Sequence, residues 1–249
     1  TVSNDLVGAA VFDWSNEIIT PFRVKHREIL QNSGPEQVVN LVEEYVKGAT
    51  GSHQDFIVAE LWAPSSSAGD LLSLQELIDD VVVVGGIDPS APNKSYWAST
   101  VKVIPQTGTG AKDILAAFRE VVNAIYAASR KRPTHIVAGF DVYEEFEAFL
   151  QDKGRYDFGS VNKAETRFRE IMFDGVTVRL DPDCPVDQAY FLHAPALRFG
   201  YLAGEFMKTY PGDTVQGTLD EVVPIASTLS IGTSERRAHG KLTRTASGS

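Results

Sequence analysis

The stretch from Ser33 to Trp62 constrains the fold most, because its apolar residues recur at the spacing of one long amphipathic helix. Steps of three and four residues dominate among these positions, which include Val38, Leu41, Val42, Tyr45, Val46, Ala49, Phe56, Leu61 and Trp62. Ser33 and Glu36 have capping-box spacing, and Pro64 is a stop signal for the helix. A helix of this length would cross a domain of ordinary size.

Two glycines lie inside this predicted helix. Gly48 and Gly51 each cost about 1 kcal/mol relative to Ala in a helix interior. We therefore expect a bend or a break there, and two shorter helices are the alternative interpretation.

Composition narrows the class of protein. The chain has 249 residues, of which 43% are hydrophobic and 22% charged, as in a globular protein of one or two domains. A formal net charge of -10 argues against a general nucleic-acid binder and against binding to anionic membranes. The single cysteine, Cys184, excludes an internal disulfide framework and fits a reducing compartment. Apolar runs are too short to span a bilayer, and we expect no signal peptide.

The segment Val11–Leu30 precedes the long helix and predicts two strands joined by a turn around Ile18–Pro21. Strand periodicity would place Arg23, Lys25 and Arg27 on one face. An isolated two-stranded ribbon is only marginally stable in water, so we expect this ribbon to pack against another surface. We expect the three cations to contact acidic groups of a neighbouring copy; a soluble charged edge strand is the alternative.

The rest of the chain mixes helices and strands. Leu71–Val84 indicates a short helix running into a strand, and residues 111–130 form the strongest predicted helix. Further elements follow: a strand at Thr134–Ala138, a helix from Asp141 to Leu150, a hairpin around Asp174–Gly175, and strands at Ala189–His193, Leu197–Phe206, Val222–Ser230 and His239–Thr243. This order predicts an α+β fold.

Patterns that could bind a cofactor or a metal lack essential residues. Thr107–Lys112 resembles a phosphate-binding loop, but Asp113 occupies the hydroxyl position and would repel phosphate. Asp181, Asp183 and Asp187 have calcium-loop spacing without the glycine and the glutamate that such a loop needs. The five histidines show no metal-ligand spacing. We predict no catalytic residue, no cofactor and no metal site, and we expect Cys184 to be structural.

Several passages occur in an order that resembles one family. They are Val84–Asp88 followed by Tyr96–Trp97, the helix at 111–130 followed by Pro133–Val137 and Tyr143, Phe173–Val176 continuing to Asp181–Asp183, Ala189–Leu192, and Glu235–Leu242. This set, over roughly 70–244, resembles the tailed-bacteriophage major capsid (coat) proteins of the Hong Kong 97-type fold. The ribbon and the long helix match that family's extended loop and spine helix by order and shape only.

The resemblance implies a domain layout. Residues 1–8 would be a short N-terminal arm, which departs from the family's usual longer arm, and 9–32 the extended loop. Residues 33–130 and 222–245 would form the peripheral domain with the spine helix. Residues 131–221 would form the inserted axial domain.

The resemblance also implies a structural function and no enzymatic activity. Copies would form hexamers and pentamers of an icosahedral phage head, assembled in the host cytoplasm and enclosing double-stranded DNA without sequence-specific contacts. Scaffolding, decoration and portal proteins would be further partners, and no membrane is involved. One alternative is an encapsulin-like nanocompartment shell. Another, from a different class, is a small cytosolic α+β enzyme that uses Cys184.

Overall fold

The computed structural model describes residues 9–12, 17–31, 41–66, 71–152 and 171–246. Its helices are α1 (His26–Gln31), α2 (Leu41–Leu61), α3 (Leu74–Leu77), α4 (Ile114–Ser129) and α5 (Phe140–Asp152). Its strands are β1 (Glu17–Val24), β2 (Thr100–Pro105), β3 (His135–Ala138), β4 (Ile171–Phe173), β5 (Val176–Leu180), β6 (Gln188–Leu192), β7 (Leu197–Tyr201), β8 (Lys208–Thr209), β9 (Asp213–Thr214), β10 (Glu221–Thr233) and β11 (Gly240–Thr245). This mixture confirms the predicted α+β class.

The chain forms two compact units. Unit 1 contains residues 9–11, 75–152, 171–198 and 233–246 of the described chain, and unit 2 contains 12, 17–31, 41–66, 71–74 and 199–232. No helix in the described part of the chain is both long and apolar enough to cross a bilayer.

Unit 1 is built on a six-stranded sheet in the order β2-β11-β6-β3-β5-β4. β3 is parallel to β5 and antiparallel to β6, and α4 and α5 contribute to the core of this unit. Phe118 of α4 lies at the centre, with ring centroids 5.0 Å from Phe146, 5.4 Å from Phe173 and 5.1 Å from Phe191. The aromatic cluster therefore joins both helices to the sheet.

Local signals correctly predicted one helix and one hairpin of unit 1. The helix predicted at 111–130 is α4, which begins at Ile114, and Asp113 caps it, because its Oδ1 accepts the backbone N–H of Ala116 at 3.1 Å. Asp174 and Gly175 connect β4 to β5 with φ values of 48° and 81°. Such left-handed backbone suits a tight primed hairpin turn. In contrast, the strand predicted near Val84 is wrong, since that residue makes only an isolated bridge with Ile87.

Unit 2 contains a five-stranded sheet and the long helix. Its strands follow the order β1-β10-β7, with β8 and β9 also paired to β10. Helix α2 packs against β1 and is continuous through Gly48 and Gly51, so the expected break is wrong. Packing on the sheet offsets the helix-propensity cost of the glycines. The predicted start of this helix, with Ser33 and Glu36, lies outside the described residues.

The predicted turn at Ile18–Pro21 is also wrong, because these residues lie inside β1. Strand β1 is at the edge of the sheet, and Pro21 pairs with Pro224 of β10. Pro21 has no N–H to donate, and an edge strand accommodates this where no ladder bond is required. Period-two alternation then ends at Val24, since α1 begins at His26.

Candidate assembly surfaces and buried anchors

The three predicted contact cations lie in three different backbone settings. Arg23 is in β1, Lys25 is in the connection that follows, and Arg27 is in α1, so they do not form one face of a strand. Arg23 Nη2 lies 2.6 Å from Asp220 Oδ2, and Lys25 Nζ lies 3.1 Å from Glu28 Oε1. Arg27 is exposed and has no ion-pair partner among the described residues.

Asp220 bridges the end of β1 and the start of α1. Its Oδ1 accepts the backbone N–H of His26 at 3.0 Å, at the first residue of α1, while Oδ2 accepts Nε of Arg23 at 2.9 Å. The His26 hydrogen bond is the largest cause that lowers the pKa of Asp220, followed by the Arg23 contacts. A distant carboxylate thus supplies the cap that α1 lacks locally, a feature that sequence spacing could not reveal.

A buried polar relay joins the long helix to the sheet in unit 2. His53 of α2 is fully buried; its Nδ1 lies 2.8 Å from Thr20 Oγ1 and its Nε2 lies 2.8 Å from Ser227 Oγ. Burial lowers the pKa of His53. Ser227 Oγ cannot act as a nucleophile on a substrate from solvent, because Ser227 is fully buried and its Oγ also accepts the N–H of Met207 at 2.8 Å. The relay links β1, α2 and β10.

Arg236 is the largest fully buried side chain of the described residues. Its guanidinium donates to four backbone carbonyls of unit 1, at the end of α3 and in the loop that follows: Glu76 at 3.0 Å, Leu77 at 2.9 Å, Asp79 at 2.8 Å and Val82 at 2.9 Å. Burial lowers the pKa of Arg236 to about 10. The charge is stabilised by oriented carbonyl dipoles, and this segment is held at four points.

In unit 1, the buried His239 connects two segments of the chain through hydrogen bonds to His193 and Thr233. His239 Nδ1 accepts the backbone N–H of His193 at 3.1 Å, so the neutral ring carries its proton on Nε2, which lies 3.0 Å from Thr233 Oγ1. Thr233 Oγ1 in turn donates to the carbonyl of Ala196 at 3.1 Å. Burial, then the proximity of His193, lowers the pKa of His239 to about 4.

Cys184 is poorly suited to nucleophilic chemistry. The side chain is buried, and burial raises the pKa of its thiol to about 12, so the thiol stays protonated at neutral pH.

A groove of about 530 Å³ opens in unit 1 beside Phe146 and Met172. Neither Cys184 nor any histidine is among its described lining residues.

The rejected phosphate loop and calcium loop have structural roles. Gly108 and Gly110 adopt φ values of 87° and 80° ahead of α4, and Lys112 pairs with Glu120. Asp181 Oδ1 accepts the N–H of Asp183 at 3.0 Å, which closes a tight turn. Across the described ranges, no group of three His, Cys, Asp or Glu residues could hold a metal ion.

Sequence comparisons identify no relative. No family model matches the chain, and no curated protein matches it in sequence.

Several solved structures are similar to this chain in fold. The capsid of cyanophage A-1(L) is similar with a TM-score of 0.68 and 15% identity, covering 93% of this chain and 77% of that chain. The capsid of an empty GTA particle matches with a TM-score of 0.60 and 11% identity, covering 92% and 73%. The SrpI encapsulin of Synechococcus elongatus PCC 7942 matches with a TM-score of 0.58 and 11% identity, covering 92% and 73%. The chain has a phage major capsid-like fold, as its sequence predicted.

Proposed function

We propose that this protein is a structural shell protein whose copies assemble into the hexamers and pentamers of an icosahedral phage head. The observation that carries the proposal is its structural likeness, over 93% of the chain, to the capsid of cyanophage A-1(L). One fold can host several functions, so assembly itself is the test. Purified protein should form closed particles visible by negative-stain electron microscopy, and a protein that stays monomeric would contradict the proposal.

The proposal includes the contents and partners of the shell. Double-stranded DNA would be enclosed without sequence-specific contacts, and scaffolding, decoration and portal proteins would act during assembly in the host cytoplasm. The net charge of -10 supports a wall that repels packaged DNA rather than binding it. The mature protein would be part of the virion and would catalyse no reaction.

The predicted domain layout stays a prediction, because the terms axial and peripheral refer to positions in a ring of subunits. An extended loop at 9–32, a peripheral domain at 33–130 and 222–245, and an axial domain at 131–221 remain proposed. The structure offers another grouping of the same elements. Unit 2 holds β1, α2 and most of β10, and unit 1 holds the six-stranded sheet.

An encapsulin-like shell is a second candidate, favoured by the match to the SrpI encapsulin. Both candidates predict closed particles, but they differ in cargo. Nuclease-protected DNA inside purified particles would support the phage head, whereas a protein cargo without DNA would support the nanocompartment.

The enzyme alternative would use Cys184, and its raised thiol pKa argues against that role. We expect Cys184→Ala to assemble like the wild-type protein, because the small buried side chain makes one weak contact, from Sγ to the carbonyl of Gln188 at 3.9 Å. Particle yield by sedimentation checks this. Loss of particles, or of a measurable activity, in the variant would count against a purely packing role.

Charge reversal tests the proposed contact of Arg23, Lys25 and Arg27 with acidic groups of a neighbouring copy. Changing all three to Glu should impair assembly while the subunit stays folded. Each exposed ion pair contributes only ~0–1 kcal/mol, but a shell repeats each pair many times. Arg27→Glu alone is the cleanest variant, since Arg23 and Lys25 also have partners within the chain. Circular dichroism controls for folding, and normal particles from the triple variant would refute the contact.

A further inference from the structure

Strand β1 is the outermost strand of the sheet in unit 2. Within the described part of the chain, it pairs with β10 alone, so one side of its backbone is a free edge. A free edge presents backbone N–H and C=O groups that can pair with a strand of another chain. The direction of these groups and the placement of charges along β1 determine which strand fits.

The hydrogen bonds of β10 show which backbone groups of β1 point to the free edge. The carbonyl of Pro224 accepts the N–H of Tyr210 at 3.0 Å, so this carbonyl points away from β1. Pro224 lies opposite Pro21. Because opposed residues of an antiparallel pair either exchange hydrogen bonds or both point away, the carbonyl of Pro21 points to the free edge. The backbone groups of Ile19 and Arg23, two residues away on either side, point the same way.

Alternate residues of β1 also have exposed side chains on one face of the sheet: Glu17, Ile19, Pro21 and Arg23. Thr20, in the middle of this row, faces the opposite way, since its Oγ1 lies 2.8 Å from Nδ1 of the buried His53 of α2. The exposed row therefore has a carboxylate at one end, a guanidinium at the other end and two apolar side chains between them.

This row is complementary to itself when two copies of β1 run antiparallel with Thr20 opposite Thr20. Glu17 then lies opposite Arg23 of the second copy, and Ile19 lies opposite Pro21, with each pair formed twice. Opposite charges directly across two strands stabilise their pairing. The backbone also fits, because the N–H of Ile19 can donate to the carbonyl of Pro21, while Pro21 itself has no N–H to leave unpaired. A shift of the register by two residues would separate the charges.

We propose that β1 pairs antiparallel with β1 of a second copy across a twofold axis at Thr20, which extends the sheet of unit 2 from one subunit into the next. The proposal rests on the proposed shell function and names one contact of that shell. A like-to-like contact is twofold, so it joins two rings to each other and does not build a ring.

Charge complementarity identifies a second copy as the partner, because one strand carries both members of the ion pair. Arg23 can keep its contact with Asp220 in this arrangement. That contact uses Nε and Nη2, and a guanidinium has further N–H donors on Nη1 for Glu17 of the second copy.

Disulfide cross-linking tests the register. A hydrogen-bonded antiparallel pair holds its Cα atoms about 5.5 Å apart, which a disulfide can span. Chains with Ile19→Cys and chains with Pro21→Cys, both also carrying Cys184→Ala, are mixed, assembled and mildly oxidised. On a nonreducing denaturing gel, the mixture should give roughly fivefold more of the dimer than either chain alone, because identical positions lie diagonally, about 7–8 Å apart.

A charge variant tests the ion pairs. Glu17→Lys, added to both cysteine chains, places like charges opposite Arg23 at both ends of the contact and should lower the amount of dimer roughly fivefold. Glu144→Lys is the matched control, because it makes the same charge change at an exposed position of α5 in unit 1. This control should leave the amount of dimer unchanged.

Ile19→Pro tests the backbone pairing in chains without cysteine substitutions. The N–H of Ile19 points to the free edge, so its removal breaks no bond to β10, and Pro21 shows that β1 accommodates a proline in this orientation. Particle yield by sedimentation velocity should fall roughly tenfold, because two hydrogen bonds of each contact are lost. Ile19→Ala, which keeps the N–H, should lose less. Circular dichroism controls for folding.

The outcomes separate this contact from the shell function. Shells whose mixed cysteine chains give no more dimer than either chain alone would overturn this inference and leave the shell function intact. Normal particle yield from a folded Ile19→Pro variant would have the same meaning. Wild-type protein that stays at 27.2 kDa would overturn both.

Discussion

Arg236→Gln is expected to lower the free energy of unfolding by about 3–5 kcal/mol, because it leaves buried carbonyls without donors. The guanidinium now satisfies four carbonyls at the end of α3 and in the loop that follows, those of Glu76, Leu77, Asp79 and Val82. Glutamine has a single amide group and cannot reach all four. Arg236→Lys should recover little, since a lysine ammonium has three donors and lacks the planar fork. Urea unfolding of unassembled subunits measures the effect.

The neighbouring residue provides a matched control. Arg237 is exposed and pairs with Glu235 at 2.9 Å. Arg237→Gln removes the same charge one position along the chain and should cost at most about 1 kcal/mol. Equal losses from the two variants would show that net charge, and not the four buried hydrogen bonds, accounts for the effect.

Mild acid should destabilise the protein through His239. The pKa of this histidine is about 4 in the folded protein, against about 6.5 in an unfolded chain. Between these values the unfolded state binds a proton that the folded state does not. Stability is therefore lost as the pH falls from about 6.5 towards 4, by about 3 kcal/mol in all. Protonation would also place an N–H at Nδ1, facing the N–H that His193 now donates to it.

His239→Asn should remove most of this pH dependence, because its side-chain oxygen can accept the His193 N–H without titrating near pH 5. The variant will be less stable at pH 7 but should lose less stability on acidification. His135→Asn is the control, since His135 is exposed. The test compares the free energies of unfolding of the wild type and both variants at pH 7, 5 and 4, at constant ionic strength. Parallel pH profiles for His239→Asn and the wild type would contradict the assignment to His239. His53, whose pKa burial also lowers, adds an effect of the same sign.

Periodicity and turn signals predicted the elements that depend on local sequence. Helix α4 and the hairpin at Asp174–Gly175 were both predicted from neighbouring residues, whereas the capping role of Asp113 was not. The long helix was predicted, but its continuity through Gly48 was not, since packing against β1 overrides the propensity cost.

Features that depend on distant residues could not be read from the sequence. Pro21 suggested a turn, yet pairing with Pro224 at the sheet edge accommodates it within a strand. Asp220, far along the chain, caps the helix that follows that strand. Arginines are almost never fully buried, so no pattern singled out Arg236 as an anchor. The contact role predicted for Arg23, Lys25 and Arg27 stays a prediction, although Arg23 and Lys25 also form pairs within the chain.

Sedimentation velocity of the purified protein, with electron microscopy of the fastest fraction, tests the shell function most directly. The proposal predicts closed particles many times heavier than one 27.2 kDa chain, with rings as intermediates. The measurement should span low to high salt, because the proposed contacts include exposed ion pairs that salt weakens. A single species at 27.2 kDa across all salt and protein concentrations would contradict the account.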